Sequence, residues 1–258
     1  MILDANTLAR SASRKVELRC SMFKDWFVRR IYADHNDSPR IRAAVKRCTN
    51  SLNGGRGLNI GSGSSWQNAS IINLDLCRGS HVNCVGDAES LPFADDSFTL
   101  VVTQETLEHV GNPEKAMDEI YRVTQPGGLL YCQLPFVIGY HPGPSDFWRF
   151  TREGIQRLVE RHGFNCEEVS ISVGPAVGFH RIATEFWASI FASFSTNLYK
   201  PAKGTFALLF YPIKWLDPFL LQSPEADRIP GGYYVFASKP RGGPVQGGSL
   251  VTAGDATG

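Results

Sequence analysis

The sequence predicts an α/β fold on a mostly parallel sheet with a final antiparallel strand, and three observations predict it. From residue 57 onward, short apolar runs recur at 57–61, 70–75, 81–87, 98–103 and 129–136, as expected of strands buried on both faces of a parallel sheet. Amphipathic helical stretches alternate with the later runs, which separates the pattern from that of all-β chains. A chain of 258 residues is also long enough to bury one sizeable core.

Taken in order, residues 10–32 and 38–49 read as amphipathic helices. They make 1–56 an N-terminal helical cap that ends at the Gly-rich break Asn53 to Gly57. The main domain is then 57–240. Only Ser64 to Ala69 separate the first two runs, and only Cys77 to Ser80 the next two, whereas a parallel crossover usually takes about a dozen residues. The first crossover helices are therefore expected to be shortened or absent. The N-terminal helices or the aromatic segments after Ile182 would then cover the sheet face left bare.

Further along, Asn112 can cap a helix with Pro113 in its first turn and Ala116, Ile120 and Val123 on one face. Gln125-Pro126-Gly127-Gly128 stops it. Thr151 opens a second helix with Ile155, Leu158 and Val159 inward, ending at Gly163, and Phe164 to Val173 returns as a strand. Ile182, Phe186, Ile190 and Phe194 recur four apart, giving one apolar helix face in an aromatic-rich insertion at about 181–222. Its aromatic side chains, Trp187, Phe191, Phe206 and Trp215 among them, are read first as core or lid packing and second as membrane contact. Gly232 to Ser238 supplies the last strand, and the Gly-rich stretch 241–258, which has no aromatic residue, reads as a disordered tail.

The formal net charge is +1, so no overall field draws the chain to nucleic acid, and none is expected as a partner. Residues 1–56 are nevertheless basic, with twelve Lys or Arg against five acids, and read as solvated helix faces. Six scattered cysteines form no C-x-x-C pair, so reduced structural thiols are expected and no metal-ligand set is read. Charges at Arg10, Arg14, Lys15, Glu17 and Arg19 interrupt any leader-like apolar stretch, and the apolar run 206–213 is too short to span a bilayer. A cytoplasmic location is the expectation, with peripheral contact at the inner membrane as its variant. Oligomeric state is not legible.

Chemistry concentrates at the ends of the early strands. Gly61-Ser62-Gly63 allows a tight bend and close approach of a ligand to the backbone, although a Gly-rich turn with no ligand reads the same way. Asp75 closes the second run and can accept both hydroxyls of a ribose, and Asp87 closes the third, placed for an exocyclic amine. Each alone is equally a turn carboxylate. Their succession behind a Gly-x-Gly bend is much less expected by chance.

Four segments carry a resemblance: Asn59-Ile60-Gly61-Ser62-Gly63, the run Asp87 to Phe98, Glu105-Thr106-Leu107-Glu108-His109-Val110, and Tyr121 to Gly128. Together they resemble the class I S-adenosylmethionine (SAM)-dependent methyltransferases, specifically the type 11 branch, over about residues 57–173. The resemblance implies a Rossmann-like sheet that takes SAM as methyl donor. It implies that Gly61, Ser62 and Gly63 line the methionine portion and Asp75 holds the ribose. Leu76 would flank the adenine, Asp87 and Ala88 would bind its edge, and Gln104 would face the methionine end, with Glu108 and His109 following in a short helix. Asn59 departs from the pattern, because many relatives carry Asp or Glu there, and this alters the contact network below the glycine bend.

A further segment, Leu134 to Thr151, resembles the His…Pro…Asp-aromatic-aromatic-Arg-Phe-Thr stretch of a type 11 subgroup often associated with surface-glycan synthesis. It contributes Tyr140, His141, Asp146, Trp148 and Arg149 as substrate-loop candidates with His109, since ligands of open α/β sheets bind beyond the carboxyl strand ends. His141 is the candidate general base, its imidazole titrating near pH ~6.5 when unperturbed. The competing reading is a loop braced by an Asp146–Arg149 pair. The acceptor expected by resemblance is a small-molecule or glycan hydroxyl, lipid-linked in one version. Two other functions compete: a non-catalytic methyltransferase-like scaffold or lipid-surface adaptor, and an NAD-dependent oxidoreductase. The last fits poorly, because Trp66 stands where the dinucleotide fingerprint wants a third glycine.

Overall fold

The computed structural model describes residues 38–62 and 68–242. The helix expected at 10–32, Gly63, Trp66 and nearly all of the expected tail lie outside the described residues.

Seven strands form one sheet in the order β3-β2-β1-β4-β5-β7-β6. They are β1 (Gly57–Ile60), β2 (Ile71–Asp75), β3 (Cys84–Val85), β4 (Phe98–Gln104), β5 (Thr124–Pro135), β6 (Asn165–Val173) and β7 (Gly232–Ser238). The pairs from β3 to β5 are parallel, and β7 runs antiparallel to β5 and β6. The mostly parallel sheet with an antiparallel final strand is thus as expected. β3 is shorter than the run 81–87, and the eight residues before it, 76–83, contain no helix.

Helix α1 (Pro39–Ser51) covers one face of the sheet. Ser38 caps it, its hydroxyl accepting from the Ile41 amide at 3.1 Å and donating to the Ser172 carbonyl at 2.9 Å. Its Ala44 and Cys48 pack with Leu52 on Ile71, Leu100, Val102, Tyr131 and Phe236, one face of the sheet. Fully burying an aliphatic side chain such as Ile41, 1% exposed, is worth about 1.5–3 kcal/mol. The opposite face is closed by α2 (Pro113–Val123) and α3 (Arg152–Arg161), through Ala116, Met117, Ile120, Ile155, Leu158 and Val159. Asn112 and Thr151 cap these helices as their sequence positions suggest. α2 ends at Val123, two residues before the expected Gln125–Gly128 stop, which instead opens β5, with Gly127 at φ +81°.

The aromatic insertion departs from expectation. It comprises α4 (Pro175–Phe194), α5 (Tyr199–Leu209) and α6 (Asp217–Leu220). The buried face of α4 carries Val177, Gly178, His180, Ala183, Thr184 and Ala188, while Ile182, Phe186 and Phe194 are exposed, Phe194 by 80%. Packing of that face into the core is therefore not what forms. Small residues line the inner face because the backbone approaches closely there: a Cβ on Gly178 would stand 3.1 Å from the Gly231 amide nitrogen. Asp217 caps α4 from α6, accepting from the Ala176 amide at 2.7 Å. Among the described residues no helix is long and apolar enough to cross a membrane.

Candidate active site

The carboxyl ends of β1, β2 and β4, with the loops that follow β3 and β5, surround a cavity of about 430 Å³. This is where an open parallel sheet presents backbone turned away from its ladder. Gly61, just past β1, takes φ +70°, and a Cβ there would stand 2.2 Å from the Thr106 hydroxyl oxygen. Both the backbone angle and the space thus require glycine. The Thr106 hydroxyl is within reach of the Ile60 and Gln104 carbonyls, at 3.2 and 3.0 Å, and ties the ends of β1 and β4 together.

Two carboxylates stand at the rim. Asp75 Oδ1 accepts from the Cys77 amide at 3.1 Å and Asp87 Oδ1 from the Glu89 amide at 2.9 Å. These are turns in which the side chain holds its own backbone, and they leave the second oxygen of each without a hydrogen bond among the described residues. The loop carrying Asp87 is fixed from α2. Glu119 accepts from the Leu91 amide at 2.7 Å, and Arg122 donates to the Phe93 and Leu91 carbonyls at 2.8 and 3.1 Å. The Arg122 guanidinium holds the Glu119 carboxyl below its usual range.

Of the residues read from sequence as cofactor contacts, Gly61, Asp75, Leu76, Asp87 and Ala88 line this cavity. Asn59 and Ser62 are buried; Asn59 donates to Asn73 Oδ1 at 2.9 Å. Gln104 donates to Gln133 Oε1 at 3.3 Å, between β4 and β5. These three are not among the residues that line the cavity.

Of the substrate-loop candidates, His109 alone lines the cavity, with Gly143 and Pro144 of the loop beside it. The loop is anchored on the short turn Leu107–His109: the Phe147 and Trp148 amides donate to the Glu108 carbonyl at 2.8 and 3.3 Å, and Trp148 Nε1 donates to the Val110 carbonyl at 2.9 Å. Arg149 grips both oxygens of Asp146, at 2.5 and 2.7 Å, and Asp146 accepts from the His141 amide at 2.9 Å. The Arg149 guanidinium drives the Asp146 carboxyl far below the carboxylate range. The brace read as the alternative role of these two residues is therefore present. Tyr140, 77% exposed, points away from any packed surface.

His141 meets His109 edge to face, ring centroids 5.1 Å apart. The nearby Glu108 carboxylate raises its affinity for a proton against the opposing effect of burial.

Glu105 was not singled out from sequence, yet it lines the cavity with φ +51°, a left-handed conformation rare outside glycine. Burial, reinforced by the neighbouring Glu108, pushes its carboxyl up, and Gln133 donates to it at 3.1 Å. Only its place in the Glu105–Val110 segment hinted at a role, because backbone strain has no sequence signature at a non-glycine residue.

The family model described as a methyltransferase domain matches residues 59–132, the stretch that supplies Gly61, Asp75, Asp87, Glu105 and His109. That match covers less than a third of the chain. An uncharacterized methyltransferase of Mycolicibacterium vanbaalenii is 31% identical over 134 residues, 51% of this chain and 46% of the relative. The demethylmenaquinone methyltransferase of Renibacterium salmoninarum is 53% identical over 80 residues, 31% of this chain and 34% of that one. The chain thus spans less than half the length of both relatives. Phosphoethanolamine N-methyltransferase 2 of Haemonchus contortus, solved with S-adenosyl-L-methionine, superposes with TM-score 0.50 at 21% identity, over 77% of this chain and 51% of that one. At that identity the likeness shows a shared fold alone.

Proposed function

We propose that this chain binds SAM in the 430 Å³ cavity and transfers its methyl group to a small-molecule or glycan hydroxyl. The observation that carries this reading is the convergence of Gly61, Asp75, Leu76, Asp87 and Ala88 on one cavity. They fit an adenosyl group. The bend at Gly61 admits a ligand against backbone, Asp75 and Asp87 each keep, among the described residues, an unpaired oxygen for hydroxyls or an amine, and Leu76 offers an apolar surface to a base.

When bound, SAM supplies a methyl group on a positive sulfur; the acceptor oxygen forms the new C–O bond as the C–S bond breaks, and S-adenosylhomocysteine (SAH) and a proton leave. The chain's own work is then positioning. The loop 139–150, anchored on the Glu108 carbonyl, closes one side of the cavity and holds Gly143 and Pro144 against it. Alignment of this kind supplies as much as ~7–11 kcal/mol in favourable systems. His109 lines the cavity and His141 does not, so of the two imidazoles His109 is the nearer candidate to meet an acceptor.

Calorimetric titration with SAH, SAM and NADH tests the reading. Stoichiometric binding of SAH and none of NADH is expected; NADH binding without SAH binding would favour the oxidoreductase, and neither would leave a scaffold.

One observation favours a lipid-linked acceptor met at a membrane surface. Helices α4 to α6 expose Phe186, Phe194, Leu209, Trp215 and Phe219, with Lys200 and Lys214 among them. Apolar side chains with nearby lysines suit an interface with anionic lipid. The insertion also adjoins the substrate loop, where a Cβ on Gly139 would stand 3.3 Å from Glu185 of α4.

A further inference from the structure

Glu108 is wholly buried, and neither of its carboxylate oxygens has a hydrogen-bond partner among the described residues. Buried polar atoms are normally satisfied, and a buried carboxylate is costly unless something compensates its charge. Glu105, Arg149 and Cys132 feel its charge, and two imidazole nitrogens come nearest its oxygens. His109 Nε2 and His141 Nε2 each stand 3.7 Å from Glu108 Oε1, beyond hydrogen-bond distance.

The other ring nitrogens settle the orientation. His109 Nδ1 lies 2.5 Å from the Ser145 carbonyl and His141 Nδ1 3.0 Å from the Gly139 carbonyl. A carbonyl oxygen only accepts, so His109 Nδ1 carries the proton and donates it; at His141 Nδ1 the 3.0 Å carbonyl contact is shorter than the 3.4 Å contact with Arg149 Nη2, which only donates, and it assigns the proton to Nδ1 there too. In the neutral rings both Nε2 lone pairs are therefore left toward the carboxylate. Donation of one ring nitrogen to a backbone carbonyl is the outer support that metal-ligating histidines characteristically have.

We infer that Glu108, His109 and His141 form a binding site for one divalent transition-metal ion, with zinc the best match to the donor set. One ligand atom from each lies within 4.8 Å of the others. Two ligands of a tetrahedral zinc, each about 2.1 Å from it, stand roughly 3.4 Å apart; the two separations from Glu108 Oε1, 3.7 Å each, exceed that by a few tenths of an ångström, and the histidine nitrogens, within 4.8 Å of each other, would draw together on the ion. Two imidazoles and one carboxylate leave at least one position open, the arrangement of catalytic rather than structural zinc. Magnesium is a poor match, because it demands an octahedron of oxygens.

His109 belongs both to this cluster and to the cavity wall. The ion-binding inference does not depend on methyl transfer. On the reading proposed above, the open position would take an acceptor oxygen and polarise it, selecting hydroxyl-bearing acceptors. The reading of the chain as needing no metal changes accordingly: the three ligands come from two loops, and no local spacing announces them.

The test uses the full chain stripped of metal and titrated with Zn2+ against a chromogenic chelator, with Mg2+ and Co2+ in parallel. One equivalent of Zn2+ is expected, with Mg2+ unable to displace it. Bound Co2+ should give d–d absorption without a thiolate charge-transfer band. His141→Ala and Glu108→Gln should each weaken Zn2+ binding by about a hundredfold or more, beyond the 10–100-fold typical of outer-shell changes. Circular dichroism checks folding. If Glu108→Gln does not fold, His141→Ala, at a partly exposed position, decides alone. Absence of Zn2+ binding, a thiolate band, or affinity unchanged in a folded variant would each overturn the inference. SAH titration of the same preparations separates the two proposals: zinc binding without SAH binding sinks the methyl-transfer reading and leaves this one standing.

Discussion

The two ends of the cavity are built differently. At the Asp75–Asp87 end every wall residue comes from a strand end or the turn directly after it: Gly61 after β1, Asp75 closing β2, Asp87 two residues past β3. At the His109 end the groups come from a turn after β4 and a loop after β5, brought together by backbone bonds to the Glu108 carbonyl. One end inherits its geometry from the sheet. The other depends on a brace, and the brace should therefore be the more fragile.

The largest effect is expected there. Asp146 is held by Arg149 with its side chain 1% exposed, and removing one partner of a buried pair costs about 3–5 kcal/mol. Arg149→Ala should lower stability toward that range in urea unfolding, and a loss below about 1 kcal/mol would show the brace to be idle. A pH scan sharpens the point. Because Arg149 depresses the folded-state pKa of Asp146, the pair's contribution is fully present above the unfolded value near ~3.9 and is lost as pH falls below it. The variant should show less of this acid sensitivity.

Next comes the glycine bend. Gly61→Ala places a Cβ 2.2 Å from the Thr106 hydroxyl oxygen at φ +70°, and a left-handed non-glycine residue with overpacking costs roughly 2–4 kcal/mol. Lower stability together with loss of SAH binding is the expected outcome; a variant that binds SAH normally would remove Gly61 from the site. Asp75→Ala should leave stability nearly unchanged and weaken SAH by about ten- to a hundredfold, the worth of ~1.5–3 kcal/mol in hydrogen bonds to a charged group. Unchanged SAH affinity would refute the ribose assignment.

The same contrast explains what the sequence revealed. The strands, the caps at Asn112 and Thr151, and the clustering of Gly61, Asp75 and Asp87 were legible because each depends on neighbours in the chain. Glu105 and the Glu108–His109–His141 cluster were not, because a strained backbone angle and a contact across 32 residues leave no local pattern. The inner face of α4 was not legible for a related reason. Fourfold spacing of Ile182, Phe186, Ile190 and Phe194 marks an apolar face, but only the close approach of Gly231 to Gly178 decides which face turns inward.

That outward face gives the smallest expected change in stability and the sharpest separation of surface from core. Phe194 is 80% and Phe219 76% exposed, so replacing both by Ser should shift unfolding by no more than about 0.5 kcal/mol each. Were they core residues, the loss would be several-fold larger. Their effect should appear instead in co-sedimentation with vesicles of mixed phosphatidylcholine and phosphatidylglycerol. The wild-type chain is expected to pellet with anionic vesicles and the double variant to stay in solution, with SAH affinity equal in both. Wild-type protein that fails to pellet at any lipid composition would remove the membrane-surface version of the acceptor. A large stability loss in the variant would return these side chains to the core.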